Sequence, residues 1–376
     1  MNITTDPDQE IWHDMRKPGA YEWWYFDAEE QSSGYSVVLI WFAGFPFSPY
    51  YTSHYEQWKN NSSSDQPLPS NYSGFNFQLY EHGNEIVNFI REGGKELFES
   101  SHSTIGVRFE KNLFTYNALR DEYSLDIDFS FPARHKKVKA HLLFKSSSRI
   151  SYKKKDTNNE GNVPLHQWLL RVPKAEVEGL IEVIDQPGGS MQSIPFQGKG
   201  YHDHNYGAVP MQEYIARWYW GRAFSGRYDL VYYVVFFKND KYRPLTLLVL
   251  QDNRVDTITV YDTLRFDEKN FRHGVFSPLH SIDIQLHNKE AGVKIHHHKV
   301  LDAGPFYLRF SSDITVQVEG QRPEQIRGMS EFLAPSRLQS RIMRIFTCSR
   351  IWRDGVDSIM YDSYNRIKNS LDWNNQ

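Results

Sequence analysis

The chain has 376 residues, a length that at about 150 residues per domain implies two domains or one large one. It carries 43 Lys and Arg against 46 Asp and Glu, a net charge of −3, which excludes the strong basic field of a nucleic-acid-binding surface. Its 10 Trp, 23 Tyr and 24 Phe call for an aromatic core or cavity, and its one cysteine, Cys348, excludes a disulfide framework or a multi-cysteine metal site.

Met1 to Glu10 is polar and acidic and does not read as a secretory signal. Short period-two runs rich in β-branched and aromatic residues then follow along the chain. They lie at Ser36–Phe42, Gly74–Tyr80, Ser124–Phe131, Lys137–Phe144, Val177–Ile184, Tyr228–Phe237, Leu245–Leu250, Ile282–Leu286, Val293–Val300, Phe306–Phe310 and Ile314–Val318. Helical spacing first appears near Ser336, where Leu338, Ile342 and Ile345 recur with Arg337, Arg341 and Arg344 one position earlier. A second helical stretch is expected over about Ser358 to Lys368. This pattern predicts an all-β fold of antiparallel barrel or sandwich type with short C-terminal helices.

Two polar stretches interrupt the strands. Asn60 to Asn71 reads as a long loop, and Lys153 to Asn162 as a solvated connection. A domain boundary is expected in the second, between residues 155 and 165, giving an N-terminal domain 1–160 and a C-terminal domain 161–376. The longest apolar run, Val231 to Phe237, is about a third of the roughly 20 residues a membrane-spanning helix needs. A cytoplasmic protein is expected, with peripheral membrane contact through Arg337 to Arg353, where Leu338, Ile342, Ile345 and Phe346 form an apolar stripe beside five arginines.

An internal echo relates the two halves. Glu22-Trp23-Trp24-Tyr25-Phe26-Asp27-Ala28 is followed by a Ser-Gly turn and Tyr35, and Arg217-Trp218-Tyr219-Trp220-Gly221-Arg222-Ala223 by a Ser-Gly turn and Tyr228. The charges are acidic in the first copy and basic in the second. Such charges are buried cheaply only with one another, which favours a cavity lined by π faces over plain core packing. Trp23, Trp24, Trp218 and Trp220 are candidates for that lining.

The strongest chemical signal is Gly200-Tyr201-His202-Asp203-His204-Asn205-Tyr206-Gly207. On an extended chain His202, His204 and Tyr206 share one face, while Asp203 and Asn205 share the other. Buried and partnered, these groups suit acid–base catalysis. The plainer alternative is a polar strand whose side chains stitch a turn together. Metal binding by His202 and His204, or by His296-His297-His298, lacks a specified third ligand. No G-x-S-x-G elbow is present, and neither Gly93-Gly94 nor Gly188-Gly189 has the spacing of a phosphate cradle. No cofactor and no metal are expected.

On Glu22–Ala28, Gly200–Gly207, Trp218–Arg222 and the Gly-x-x-Glu at Gly328–Glu331, the sequence resembles the carotenoid 1,2-hydratase-like (hydroxyneurosporene synthase type) family. That family commonly has Trp where this chain has Tyr206. The resemblance implies two lipocalin-like domains and a cofactor-independent site for an apolar isoprenoid or polyene. Family activities include hydration of a terminal isoprenoid double bond and terpenoid cyclisation, and more distant fungal relatives resemble Diels–Alderases.

Protonation of a trisubstituted alkene calls for a strong, positioned acid. A carboxylic acid serves better than an imidazolium, which holds its proton more tightly by about 2–3 pKa units. Asp203 is therefore the expected proton donor, with His202 or His204 orienting it or taking a proton from water. Trp23, Trp24, Trp218 and Trp220 would flank the cation, and Tyr206 would line the cavity. Capture by water gives a hydratase; capture by an internal alkene gives a cyclase. Two other classes remain open. A pericyclase would hold a polyene in reacting geometry, with His202, Tyr206 or Arg217 hydrogen-bonded to an acceptor carbonyl. A carrier would bind an apolar ligand without transforming it.

Overall fold

The computed structural model describes residues 1–30, 32–61, 65–155, 165–274 and 277–354. Among these residues the chain forms two curled, almost wholly antiparallel sheets, one of thirteen strands and one of nine. The all-β expectation holds, and so does most of the strand list. Tyr228–Phe237 forms as expected, whereas the runs at Phe306 and Ile314 merge into one strand, Tyr307–Val318.

Each sheet closes on its own first hairpin. In the first, Tyr21–Glu29 pairs with Tyr35–Ala43 on one side and with Met191–Gly207, the last strand of that sheet, on the other. In the second, Ile215–Phe224 pairs with Tyr228–Phe237 and with the last strand, Glu324–Leu333. The two aromatic hairpins thus hold equivalent topological positions, and the sequence echo has a structural counterpart.

One compact unit takes Met1–Pro210 and the described end of the chain from Cys348; the other takes Met211–Thr347. The boundary expected near residue 160 lies among residues 156–164, outside the described residues. The strands on either side of it belong to one sheet, since Lys136–Ser146 pairs with Gln167–Asp185, placing Ala140 opposite Ile181. The division at 210/211 therefore replaces the one at 160/161. Closing the first sheet needs the strands Gln167–Asp185 and Met191–Gly207, both beyond the polar stretch, so the first unit runs on past it.

The first sheet wraps an aromatic core. Phe26 sits with its ring centroid 5.1 Å from Phe114, 5.4 Å from Tyr123, 5.5 Å from Phe144 and 5.9 Å from Trp41. Tyr21–Ala28 is buried on both faces, so both sets of alternating side chains must find partners inside the protein.

Two departures concern helices. Pro49–Asn60 is a helix that the hydrophobic pattern hides, because only Pro49, Tyr51 and Thr52 are buried. Its start signal is nevertheless clear: Ser48 caps the Tyr51 N–H at 3.1 Å, and Pro49 holds the first position. At the other end a 3-10 turn, Pro335–Gln339, precedes the helix Arg341–Cys348, while the stretch expected at 358–368 lies outside the described residues. In that segment Leu338 is buried but Ile342 and Ile345 are exposed. Arg344 is buried and donates to the Leu338 carbonyl at 3.0 Å, and Arg353 pairs with Glu92. Among the described residues no helix is long and apolar enough to cross a membrane.

Candidate active site

The Gly200–Gly207 segment ends the long strand Met191–Gly207 and lies between Gln167–Asp185 and Tyr21–Glu29. Its two glycines are set by close approach. A Cβ at Gly200 would lie 2.6 Å from Val177 and 2.7 Å from Phe144, and one at Gly207 would lie 2.4 Å from the Leu165 carbonyl oxygen. Between them the alternation expected from a strand is observed. His202 lies opposite Phe26, His204 opposite Trp24 and Tyr206 opposite Glu22, while Tyr201, Asp203 and Asn205 lie opposite Asp27, Tyr25 and Trp23.

The histidine face turns into the aromatic core. The His202 ring stacks on Phe26 at 3.8 Å, and the His204 ring on Trp24 at 4.6 Å. Each imidazole is tied to a buried glutamate. His202 Nε2 is 2.7 Å from Glu10 Oε1 and its Nδ1 is 2.9 Å from the Tyr25 carbonyl oxygen. Both ring nitrogens therefore face oxygen acceptors. Glu10 also accepts from the Tyr123 hydroxyl at 2.6 Å and from Arg171 Nε at 2.9 Å. Burial alone would raise the Glu10 carboxyl pKa; the contacts with His202, Arg171 and Tyr123 outweigh it and hold the group below the usual carboxylate range.

The second pair is arranged differently. Glu22 Oε1 lies 2.8 Å from His204 Nε2 and 2.7 Å from His13 Nδ1, and both Glu22 oxygens accept from the His13 backbone N–H. These donors overcome the burial that would otherwise raise the Glu22 pKa, and lower it instead. Burial pushes the His204 pKa down despite the pull of Glu22, so His204 is neutral and donates its Nε2 proton to the carboxylate. Its Nδ1 is buried without a hydrogen-bond partner. Tyr206 stacks on His13 at 3.8 Å, closing this cluster.

Asp203 points the other way. Its Oδ2 accepts from Trp168 Nε1 at 2.8 Å and from the Tyr201 hydroxyl at 2.7 Å, and its Oδ1 accepts from Asn205 Nδ2 at 2.8 Å. Three neutral donors thus fix the carboxyl group on a face it shares with Trp23, Tyr25 and Tyr201. The groups that orient it are Trp168, Tyr201 and Asn205, whereas the sequence suggested a neighbouring imidazole.

The strands bring His202, Asp203, His204, Tyr206, Trp23 and Trp24 together within the first unit, with Trp24 on the histidine face and Trp23 on the Asp203 face. Arg217, Trp218 and Trp220 lie on the equivalent strand of the second unit. There Arg217 is clamped to Glu268 by two contacts of 2.5 and 2.7 Å and lies over the Phe236 ring at 3.8 Å. Glu22 and Arg217 therefore take local partners of their own. Glu10, His13, Trp168 and Arg171 complete the cluster. No local motif flags them, because they reach it from distant parts of the chain.

His13, Glu22 and His204 place ligand atoms within 4.8 Å of one another, a donor set able to take a divalent cation. A metal-bound imidazole usually donates its outer nitrogen to a carboxylate or carbonyl, and His204 Nδ1 has no such partner. Both imidazoles instead share protons with Glu22. Dialysis against a chelator is accordingly expected to leave the melting temperature and activity unchanged; a loss restored by zinc would show that the trio holds a metal.

Two lipocalin-like sheets, the first bearing a strand that alternates imidazoles with a carboxylate, define a β protein equipped for proton transfer. The sequence pattern of carotenoid hydratase CrtC matches residues 39–358. The chain is 50% identical over 373 residues to a hydroxyneurosporene dehydrogenase of Chlorobaculum tepidum, covering 99% of this chain and 97% of that one. It is 24% identical to an acyclic carotenoid 1,2-hydratase of Rubrivivax gelatinosus over 64% of this chain and 54% of that one. The chain belongs to the carotenoid hydratase family. Crystal structures share its fold at low identity. CghA aligns with a TM-score of 0.58 at 13% identity, covering 84% of this chain and 88% of that one. Kievitone hydratase from Nectria haematococca aligns with a TM-score of 0.53 at 12% identity, covering 89% and 96%.

Proposed function

We propose that this chain hydrates a terminal trisubstituted double bond of an acyclic carotenoid, with Asp203 as the proton donor. The observation that carries this reading is the buried Asp203 carboxyl group on a face lined by Trp23, Tyr25 and Tyr201, opposite the Glu10 and Glu22 pairs. Proton transfer to the less substituted alkene carbon leaves a tertiary cation. Each aromatic face beside that cation stabilises it by about 0.5–2 kcal/mol. Water then adds to the cation and gives a tertiary alcohol. The Glu10–His202 and Glu22–His204 pairs sit behind the same strand and hold its register.

The name of the Chlorobaculum relative denotes an oxidation, which needs an electron acceptor. Hydration fits this chain better, because its clustered groups are proton donors and acceptors and its glycines lack the spacing of a nucleotide cradle. The test is mass spectrometry of product formed from an acyclic carotenoid in heavy water. Hydration is expected to leave deuterium on carbon after exchange back into ordinary water. A hydrated product without carbon-bound deuterium would sink the mechanism. A cyclised product bearing the label would point to capture of the cation by carbon, and an unlabelled cyclised product to cycloaddition.

A further inference from the structure

His166 lies one residue before the strand Gln167–Asp185 and is completely buried. Its Nδ1 is 2.8 Å from the Tyr21 hydroxyl, and its ring lies 5.8 Å from Trp23. Both neighbours belong to the Asp203 face, since Tyr21 is opposite Gly207 and Trp23 opposite Asn205. Its Nε2 is buried with no hydrogen-bond partner. A polar atom left unsatisfied inside a protein is costly, and native structures keep such atoms mainly where a ligand, a water or a chemical step uses them. His204 Nδ1 is similarly unpartnered, but it belongs to the opposite face of the motif strand.

We infer that His166 is the second acid–base group of the Asp203 face, the one that takes the proton released when water captures the cation. This rests on the hydration reading above. The Asp203 O–H bond breaks as a C–H bond forms at the less substituted carbon. A C–O bond then forms between water and the tertiary carbon, and a water O–H bond breaks as its proton passes to His166 Nε2. The proton returns to Asp203 through solvent, so alkene plus water gives alcohol and nothing is oxidised or reduced. The assignment needs the tautomer in which Nδ1–H donates to the Tyr21 oxygen and Nε2 keeps its lone pair. Burial pushes the His166 pKa down to about 3, which keeps the ring neutral and so prevents it from competing with Asp203 as the acid. A base this weak still suffices, because an alkyl oxonium is a far stronger acid than any imidazolium.

The experiment follows two signals in heavy water with the full chain: the hydrated product, and deuterium bound to carbon in recovered carotenoid. The second signal reports reversible protonation by Asp203 without capture by water. In His166→Gln and His166→Ala, hydration is expected to fall on the order of 10²-fold while deuterium exchange stays within about threefold of the parent. Added imidazole should restore part of the hydration in His166→Ala. Hydration within about threefold of the parent would overturn the assignment, as would parallel loss of both signals in a variant with native circular dichroism. Should both variants fail to fold, the parent with ¹⁵N-labelled histidine supplies the readout. A tertiary alcohol product must move the resonance of one neutral, non-titrating imidazole, and no movement overturns the proposal. If the parent itself gives neither product nor label, the hydration reading has failed, a result distinct from loss confined to the His166 variants.

Discussion

Asp203→Asn is expected to lower hydration by on the order of 10²–10⁴-fold, the range usual for loss of a positioned general acid. The amide keeps the size of the side chain and can still accept from Trp168 Nε1 and the Tyr201 hydroxyl through its oxygen. Its new N–H₂ group then faces Asn205 Nδ2, which donates to the carboxylate in the parent. Rotation of the Asn205 amide presents an oxygen instead, so the exchange should cost about 1 kcal/mol of stability or less. The fold therefore survives while the proton donor is gone. Carbon-bound deuterium in recovered carotenoid should vanish with the product, which separates this variant from one defective only in water capture. Full activity in a folded Asp203→Asn protein would remove Asp203 from the mechanism. The proton carriers left to test would then be His166 on the same face and the imidazoles on the opposite face of the strand.

That opposition of faces was legible in the sequence, because side-chain direction in a strand follows a period of two whatever the strand pairs with. The division of Gly200–Gly207 into His202, His204 and Tyr206 against Asp203 and Asn205 needed no other information. The strand list was legible for the same reason. Partners were not. Glu10, His13, His166 and Arg171 come from segments far apart in the chain, and a single Glu or His in a polar stretch gives no local sign that a sheet will fold over it. The helix Pro49–Asn60 was hidden because its buried residues cluster in the first turn rather than recurring along one face. Its capping serine and first-position proline were the signal to read. The domain edge was hidden for a topological reason: sheet closure is a long-range event, and the composition of one polar stretch does not report it.

Glu10→Gln is expected to have the largest effect on stability, a loss of about 3–5 kcal/mol, as is usual when one partner of a buried ion pair is removed. Glu10 is fully buried, and its oxygens hold His202, Tyr123 and Arg171 at once. Arg171 continues the network to Asp121 at 3.2 Å, and Arg149 reaches Asp121 at 2.8 Å. Without the Glu10 charge, the Arg171 cation loses a buried counter-charge in a dry core, and the melting temperature should fall on the order of 10 °C. The pH dependence has a definite sign. The carboxyl pKa is lowered from 4.5 on folding, so below that value the unfolded chain binds the proton more readily than the native one. The contribution is fully present above pH 4.5 and is lost as pH falls through the lower value of the folded protein. Urea unfolding of parent and variant should therefore show the widest gap near neutrality and a narrowing gap in acid. A gap that stays constant from neutral pH into acid, or one below about 1 kcal/mol at neutrality, would mean that Glu10 is not the anion on which this network depends.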